Sequence, residues 1–314
     1  MATNVNDLYE DMLYLLRVAP METTRGGMVR TIQRPVIATV DKPMERVLFN
    51  PERMANPYFH IMEAVWMLGG YNEAHWLEQF NSNIMEYAEP DGRINGAYGH
   101  RWRNHWHYDQ IAGIIKMLER DPDTRQAVMV MYDPQVDPEP HWKDRPCNTH
   151  IYFRRVECRL DMTVCNRSND VVWGMCGANI VHMTILHELV ASALAMPIGR
   201  YHVMTNNLHI YQRHWEYMKS PKSYDHYGEG VKPTPLLTPK EDYYELLNEC
   251  EQFVKNNGNY PCHNTWLRHT VTPMFEHYQE RLMGNYTSDL DNIEATDWRK
   301  ACVLWAAWHN GITA

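Results

Sequence analysis

The stretch DRPCNTHIYF, Asp144–Phe153, sets a thiol, Cys147, directly behind a proline and ahead of an apolar run. A cysteine there is either a small buried hydrophobe or a nucleophile, and its company decides between them. Further on, CNRSNDVVWGMCGAN (Cys165–Asn179) supplies a guanidinium at Arg167, a hydroxyl at Ser168, a carboxylate at Asp170, a glycine at Gly174 and an amide at Asn179. An arginine beside a thiol lowers its pKa and makes the thiolate available at neutral pH. In NNLHIY, His209 and Tyr211 alternate onto one face of an extended segment. Taken singly, these residues have plain readings. Arg25 and Arg125 would be solvated surface arginines, Glu63 would face water from an apolar helix, and His209 with Tyr211 would be half-buried strand positions.

The elements that must position these groups follow from hydrophobic periodicity. NPYFHIMEAVWMLGG (56–70) has helical spacing and a double-glycine stop, and YDQIAGIIKMLERDP (108–122) repeats the design with a proline after it. RQAVMVMYDP (125–134) reads as a buried strand. Residues 149–170 alternate on both sides of Val156–Glu157 and read as a β-hairpin. NIVHMTILHELVASALAM (179–196) is the longest apolar helix, with Asn179 as its cap. Residues 200–218 read as strand, turn and helix. From 219 to 314 the chain is polar and Pro-rich, then helical at DWRKACVLWAAWHN. This order predicts one α+β domain over 1–314, with a mixed or antiparallel sheet against one central helix.

Composition narrows the partners. A net charge of −9 argues against a general nucleic-acid surface but leaves room for a local phosphate pocket. No apolar run approaches the roughly 18 residues of a membrane span, and the acidic N-terminus does not read as a secretory signal. Seven cysteines without a C-x-x-C pair point to free thiols in a reducing cytoplasm. The 17 histidines include HWHYD (105–109), which lacks helical ligand spacing, so no metal is expected. No G-x-G-x-x-G, P-loop or G-x-S-x-G motif is present.

The pieces PC (146–147), NRSND with its following glycine (166–174), NI (179–180) and HIY (209–211) resemble the thymidylate synthase family. Upstream, MEAVWMLGG around Glu63, GAYGHRWR (96–103) and DPDTRQAV (121–128) resemble further motifs of that family, in the same order. The resemblance covers residues 20 to 218 or so and leaves 219–314 divergent. It implies a mixed β-sheet packed on a long central helix, in a homodimer formed through the sheet. It also implies one-carbon transfer from 5,10-methylenetetrahydrofolate to carbon 5 of a pyrimidine nucleotide monophosphate. By resemblance Cys147 is the nucleophile, Glu63 organises proton transfer to the base carbonyl, and Tyr98 assists loss of the carbon 5 proton. Arg25, Arg167, Ser168 and, from the second subunit, Arg125 hold the phosphate; Asn179 reads the base edge; His209 and Tyr211 hold the sugar. Asp170 binds the pterin and Gly174 leaves room for it.

The departures bear on the product. Asn148 stands after the nucleophile where the family usually has histidine, and Gln126 replaces a second arginine. GMCGAN replaces G-x-P-F-N ahead of Asn179. Ile84 and Tyr87 occupy the places of tryptophans that shield the one-carbon unit, and the chain ends HNGITA without the family's folate-closing tail. Water exclusion is what allows hydride delivery to the methylene, so its loss points to a 5-hydroxymethyl product. Asn179 favours uracil, with cytosine open. A true thymidylate synthase and a silent nucleotide-binding scaffold are the competing readings, though a scaffold needs no nucleophile.

Overall fold

The computed structural model describes residues 1–53, 55–219, 224–285 and 289–309. The last residues of the HNGITA tail, 310–314, lie outside them. The elements run α1 (Val5–Arg17), β1 (Met21–Thr24), β2 (Gly27–Ile32), β3 (Val36–Val40), α2 (Pro57–Leu68), α3 (His75–Glu78), α4 (Tyr98–Arg103), α5 (Gln110–Arg120) and β4 (Val128–Val130). They continue through β5 (Asn148–Val156), β6 (Arg159–Asn166), β7 (Asn169–Asp170), α6 (Asn179–Ala193), β8 (Ile198–Thr205), β9 (Leu208–Tyr211), α7 (Tyr243–Lys255), α8 (Thr272–Leu282) and α9 (Thr296–His309).

Two sheets form where one was expected. The larger has the order β3-β8-β6-β5-β4 and is mixed, with β6 and β8 parallel and the remaining pairs antiparallel. The smaller, β1-β2-β9-β7, carries His209 and Tyr211. Residues 200–218 are therefore strand, turn and second strand before a 3₁₀ turn, because Asn206–Asn207 passes the chain from one sheet to the other. The predicted hairpin is β5–β6, its turn at Glu157–Cys158, both with positive φ (49° and 64°). That conformation matches the twist of the flanking strands. The predicted buried strand at 125–134 shrinks to β4, an edge strand with Val128 exposed and Met129 buried, since only one face of this sheet meets the core.

The inward face of the large sheet (Ala38, Val203, Val164, Ile151) packs toward α6, twelve of whose fifteen residues are buried. Burial on every side makes α6 the central helix, its buried His182, Thr184, His187 and Glu188 included. Asn179 is not its cap: the chain enters through a π-helical turn, Val171–Ala178, and Asp170 caps that turn by accepting from the Val172 and Trp173 N–H groups. α2 lies against α6, started by Asn56, whose side chain accepts from Phe59 N–H, with Pro57 in its first turn. Every residue of α2 except Glu63 is buried.

The last hundred residues are more helical than their composition implied. α7, α8 and α9 cover α2, with Tyr58 Oη 2.6 Å from His277 Nδ1 and Trp305 edge-on to the Tyr58 ring. Phe253 of α7, Trp298 of α9 and Trp266, ahead of α8, are buried in the same apolar cluster as α2 and α6. A buried Arg46–Glu188 ion pair adds a polar tie, Glu188 also accepting from Leu236 N–H.

Candidate active site

A cleft of about 640 Å³ opens beside the ends of β5 and α6, and Cys147 lines it with Glu63, Tyr98, Ser168, Asp170 and Asn179. These residues are up to 116 positions apart (179 − 63), so the fold alone assembles them. Cys147 is held by its backbone. Its N–H donates to Tyr98 Oη at 3.2 Å and its carbonyl accepts from Arg167 N–H at 2.9 Å. The Arg167 guanidinium donates to the carbonyls of Pro146 and Arg145, both at 3.0 Å, and places Nη2 3.6 Å from the Cys147 Sγ.

The expected arginine is therefore beside the thiol, but the expected low pKa is not. Burial pushes the Cys147 thiol up, Arg167 pulls it down, and Asp144 and Asp170 add further upward pressure. In the free protein burial outweighs one guanidinium. Tyr98 is raised well above its ordinary value, again by burial first. Its oxygen accepts from Cys147 N–H and, at 3.4 Å, from Asn148 N–H, so its proton is free to be donated into the cleft.

α2 meets the cleft with Phe59, Glu63, Trp66 and Met67, and Glu63 brings the carboxyl. Burial raises its carboxyl to about 8, with the Asp144 charge contributing, so it holds a proton at neutral pH. Behind it stands His182 of α6, pressed down to about 3 by burial although its ring donates to the His60 carbonyl. Neither His182 nor its contact with Glu63 has any signal in the sequence beyond a histidine on an apolar helix.

Other expected residues divide. Ile84 and Tyr87 line the cleft; Tyr87 is 51% exposed at its mouth. Asn148 is buried off the cleft, its amide atoms unpartnered, opposite Asn166 in the hairpin. Gly174 does line the cleft, but not as vacant room: a Cβ there would meet Asn169 Oδ1 at 2.1 Å, so the glycine admits the Asn169 amide. His209 and Tyr211 share a face with rings edge-to-face at 5.1 Å, beside the cleft rather than in its wall. Arg213 bridges them to it, its guanidinium 4.5 Å from the Tyr211 ring centre while lining the cleft. Arg25 is exposed in the β1–β2 turn, and its neighbour Gly26 lies against Tyr211, where a Cβ would come within 2.9 Å of the ring. Arg125 is exposed just before β4 and does not reach the cleft of its own chain.

Sequence reasoning missed Asp144, Trp173, Arg213 and His214, all in the cleft wall. Asp144 stood in the motif itself, three residues before the thiol. Trp173, 40% exposed, stacks under the Arg53 guanidinium at 4.8 Å. Among the described residues no group of three or more His, Cys, Asp or Glu is placed to hold a metal; His105 instead pairs with Asp133 at 2.7 Å. No described helix is long and apolar enough to cross a membrane.

Comparison with known proteins gives a consistent set of relatives. A family model described as thymidylate synthase matches residues 53–228, more than half of the chain. A deoxyuridylate hydroxymethyltransferase of Pseudomonas phage M6 is 35% identical, over 96% of this chain and 92% of its own. Proteins with the same description from Bacillus phage SP01 and Delftia phage PhiW-14 are 32% and 30% identical. They cover 79% and 61% of this chain, and 70% and 55% of their own.

Proposed function

The chain belongs to the thymidylate synthase family, and from that premise we propose that it is a deoxyuridylate 5-hydroxymethyltransferase that uses 5,10-methylenetetrahydrofolate as co-substrate. The observation that carries this reading is the convergence of Cys147, Glu63, Tyr98 and Asn179 on one cleft, in a chain similar over nearly its full length to a protein described by that activity.

Carbon 5 of uracil is not nucleophilic in the free base. Addition of the Cys147 thiolate to carbon 6 makes it an enolate carbon, which is the reason for a thiol here. Arg167, 3.6 Å from the sulfur, is the cation that favours the thiolate once a substrate is seated. Glu63, protonated at neutral pH, donates toward the base carbonyl as charge develops there. Tyr98 assists departure of the carbon 5 proton. The Asn179 amide offers both a donor and an acceptor to the uracil edge. The phosphate dianion is met by Arg167, Ser168 and Arg25, with Arg213 at the rim.

The residues present suit a pterin. Asp170 lines the cleft with its Oδ2 buried and unpartnered, an acceptor for a ring N–H, and Trp173, Tyr87 and Ile84 offer flat or apolar walls. When bound, the folate supplies the one-carbon unit to carbon 5. Trp173 and Tyr87 remain substantially exposed at the mouth, which favours capture of that carbon by water over hydride delivery.

The active form is a homodimer through the large sheet. Its outward face is unpartnered in the single chain and carries Ile37 (71% exposed), Tyr152 (43%), Met204 (39%) and Val128 (38%). Arg125, exposed at the edge of that sheet, then reaches the neighbouring cleft as a further phosphate ligand. The test is the mass of the product formed from methylenetetrahydrofolate and deoxyuridylate. A gain of formaldehyde supports the reading; a gain of methylene makes the protein a thymidylate synthase instead.

A further inference from the structure

Asp144 opens the motif that contains the nucleophile, lines the cleft, and has no part in the chemistry assigned above. Its carboxylate is held by the backbone. Oδ2 accepts from Gly96 N–H at 3.1 Å, and the Arg145 N–H donates to it as well. Gly96 is required for that approach, since a Cβ there would come within 2.4 Å of the same oxygen. The remaining lone pairs are available to the cleft. Its charge is felt by Glu63, Tyr87, Tyr98 and Cys147 alike, which puts it amid the groups that surround the reacting carbon.

Of the carboxyl groups in that wall, Glu86 is exposed to solvent, and among the rest Asp144 is the one suited to act as a base. Glu63 already holds its proton at neutral pH. Asp170 spends Oδ1 on the Val172 and Trp173 N–H groups that it caps, and its unpartnered Oδ2 is the acceptor already given to the pterin. Asp144 is more basic than an ordinary aspartate because burial outweighs its two backbone donors.

Building on the hydroxymethyl reading, we propose that Asp144 positions and deprotonates the water that captures the one-carbon unit. The water oxygen bonds to the exocyclic methylene on carbon 5, and the methylene π pair moves into the carbon 5–carbon 4 enolate. The water proton passes to Asp144. The enolate then re-forms the carbon 5–carbon 6 double bond and expels the Cys147 sulfur as thiolate. Nothing is oxidised or reduced, so no hydride is consumed, and the product is the 5-hydroxymethyl nucleotide.

The experiment compares wild type and Asp144→Asn with 2-mercaptoethanol present, since a thiolate traps the exocyclic methylene without needing a base. Asparagine preserves an acceptor for Gly96 N–H. The expected result is a fall of about a hundredfold in hydroxymethyl product, with the thioether nucleotide taking its place. A second variant, Asp144→Ala, should regain hydroxymethyl product when formate is added. Unchanged hydroxymethyl yield in Asp144→Asn, or equal loss of both products, overturns the proposal. In the free protein, alkylation of Cys147 by iodoacetamide should move to lower pH in Asp144→Asn, because Arg167, Asp170, Tyr98 and Tyr211 are then the charged or titratable groups left facing the thiol. An unmoved profile means Asp144 does not face the sulfur and also overturns the proposal. If wild type yields only the methyl product, it is the hydroxymethyl reading that fails, whatever the variants do.

Discussion

His182 Nε2 lies 3.3 Å from Glu63 Oε2 in the seam between α2 and α6, and the contact joins two neutral groups. Both atoms are buried and neither makes a hydrogen bond. A salt bridge would need Glu63 ionised and His182 protonated. Burial drives both the other way, to about 8 for the carboxyl and about 3 for the imidazole. The imidazole donates to the His60 carbonyl, which leaves the nitrogen facing Glu63 without a proton.

The two groups set opposite pH windows for stability. Between about pH 4.5 and pH 8 the folded chain keeps a Glu63 proton that the unfolded chain releases. Stability therefore falls as pH rises through that range, by about 1.4 kcal/mol per unit at most. His182 acts at the acid end: from pH 6.5 down to about 3 the unfolded chain binds a proton that the folded chain refuses, and stability falls toward acid. Glu63→Gln should gain Tm relative to wild type progressively from pH 5 to pH 8, and His182→Gln should gain it below pH 6. Glu63→Gln should also lose roughly 10²–10⁴-fold in turnover. Thermal unfolding across pH, set beside product formation, checks both; a Glu63→Gln gain independent of pH would mean the carboxyl is ionised.

Arg167 is the nearest cation to a thiol that burial holds above its ordinary pKa. Arg167→Gln should move Cys147 alkylation by iodoacetamide to still higher pH and, on the phosphate role proposed for Arg167, should weaken nucleotide binding. Cys147→Ser should end turnover with nucleotide binding largely kept. An active serine variant would remove the covalent mechanism.

Asn179 lines the cleft in the first turn of α6. Asn179→Asp replaces an amide donor by an acceptor that suits the cytosine amine, so preference should shift toward deoxycytidylate. Competition between the two nucleotides measures it, and an unshifted ratio shows that Asn179 does not read the base edge.

Ile37 and Met204 sit opposite each other on β3 and β8, side chains outward from the large sheet. On the proposed dimer, Ile37→Glu with Met204→Glu should convert dimers to monomers in analytical ultracentrifugation and cut activity through loss of the phosphate ligand proposed at Arg125. Unchanged mass would place any dimer contact elsewhere.

Many of the groups that line the cleft were legible in the chain because they lie in short segments. PC at 146–147, NRSND at 166–170 and the helical spacing of 56–70 are contiguous, and the helices and hairpin they imply form where periodicity put them. The same local reasoning misplaced the cap of α6, because a π-helical turn joined through Asp170 looks no different in sequence from a loop. It undercounted the helices of 219–314, whose amphipathic faces are polar enough to pass for loop and find their apolar partners far off in the chain, on α2 and around Trp76 and Phe80.

What the sequence determined alone was the inventory of reactive groups and the elements that carry them, since residue type and periodicity are local properties. The tertiary structure decided their states. Whether Cys147 is a thiol, Glu63 an acid and Asp144 a base depends on how much water each has lost and which charge stands beside it. His182 reaches Glu63 because two helices that are 119 positions apart at these residues (182 − 63) share one buried seam. Desolvation and proximity are set by packing, and packing is a property of the whole chain.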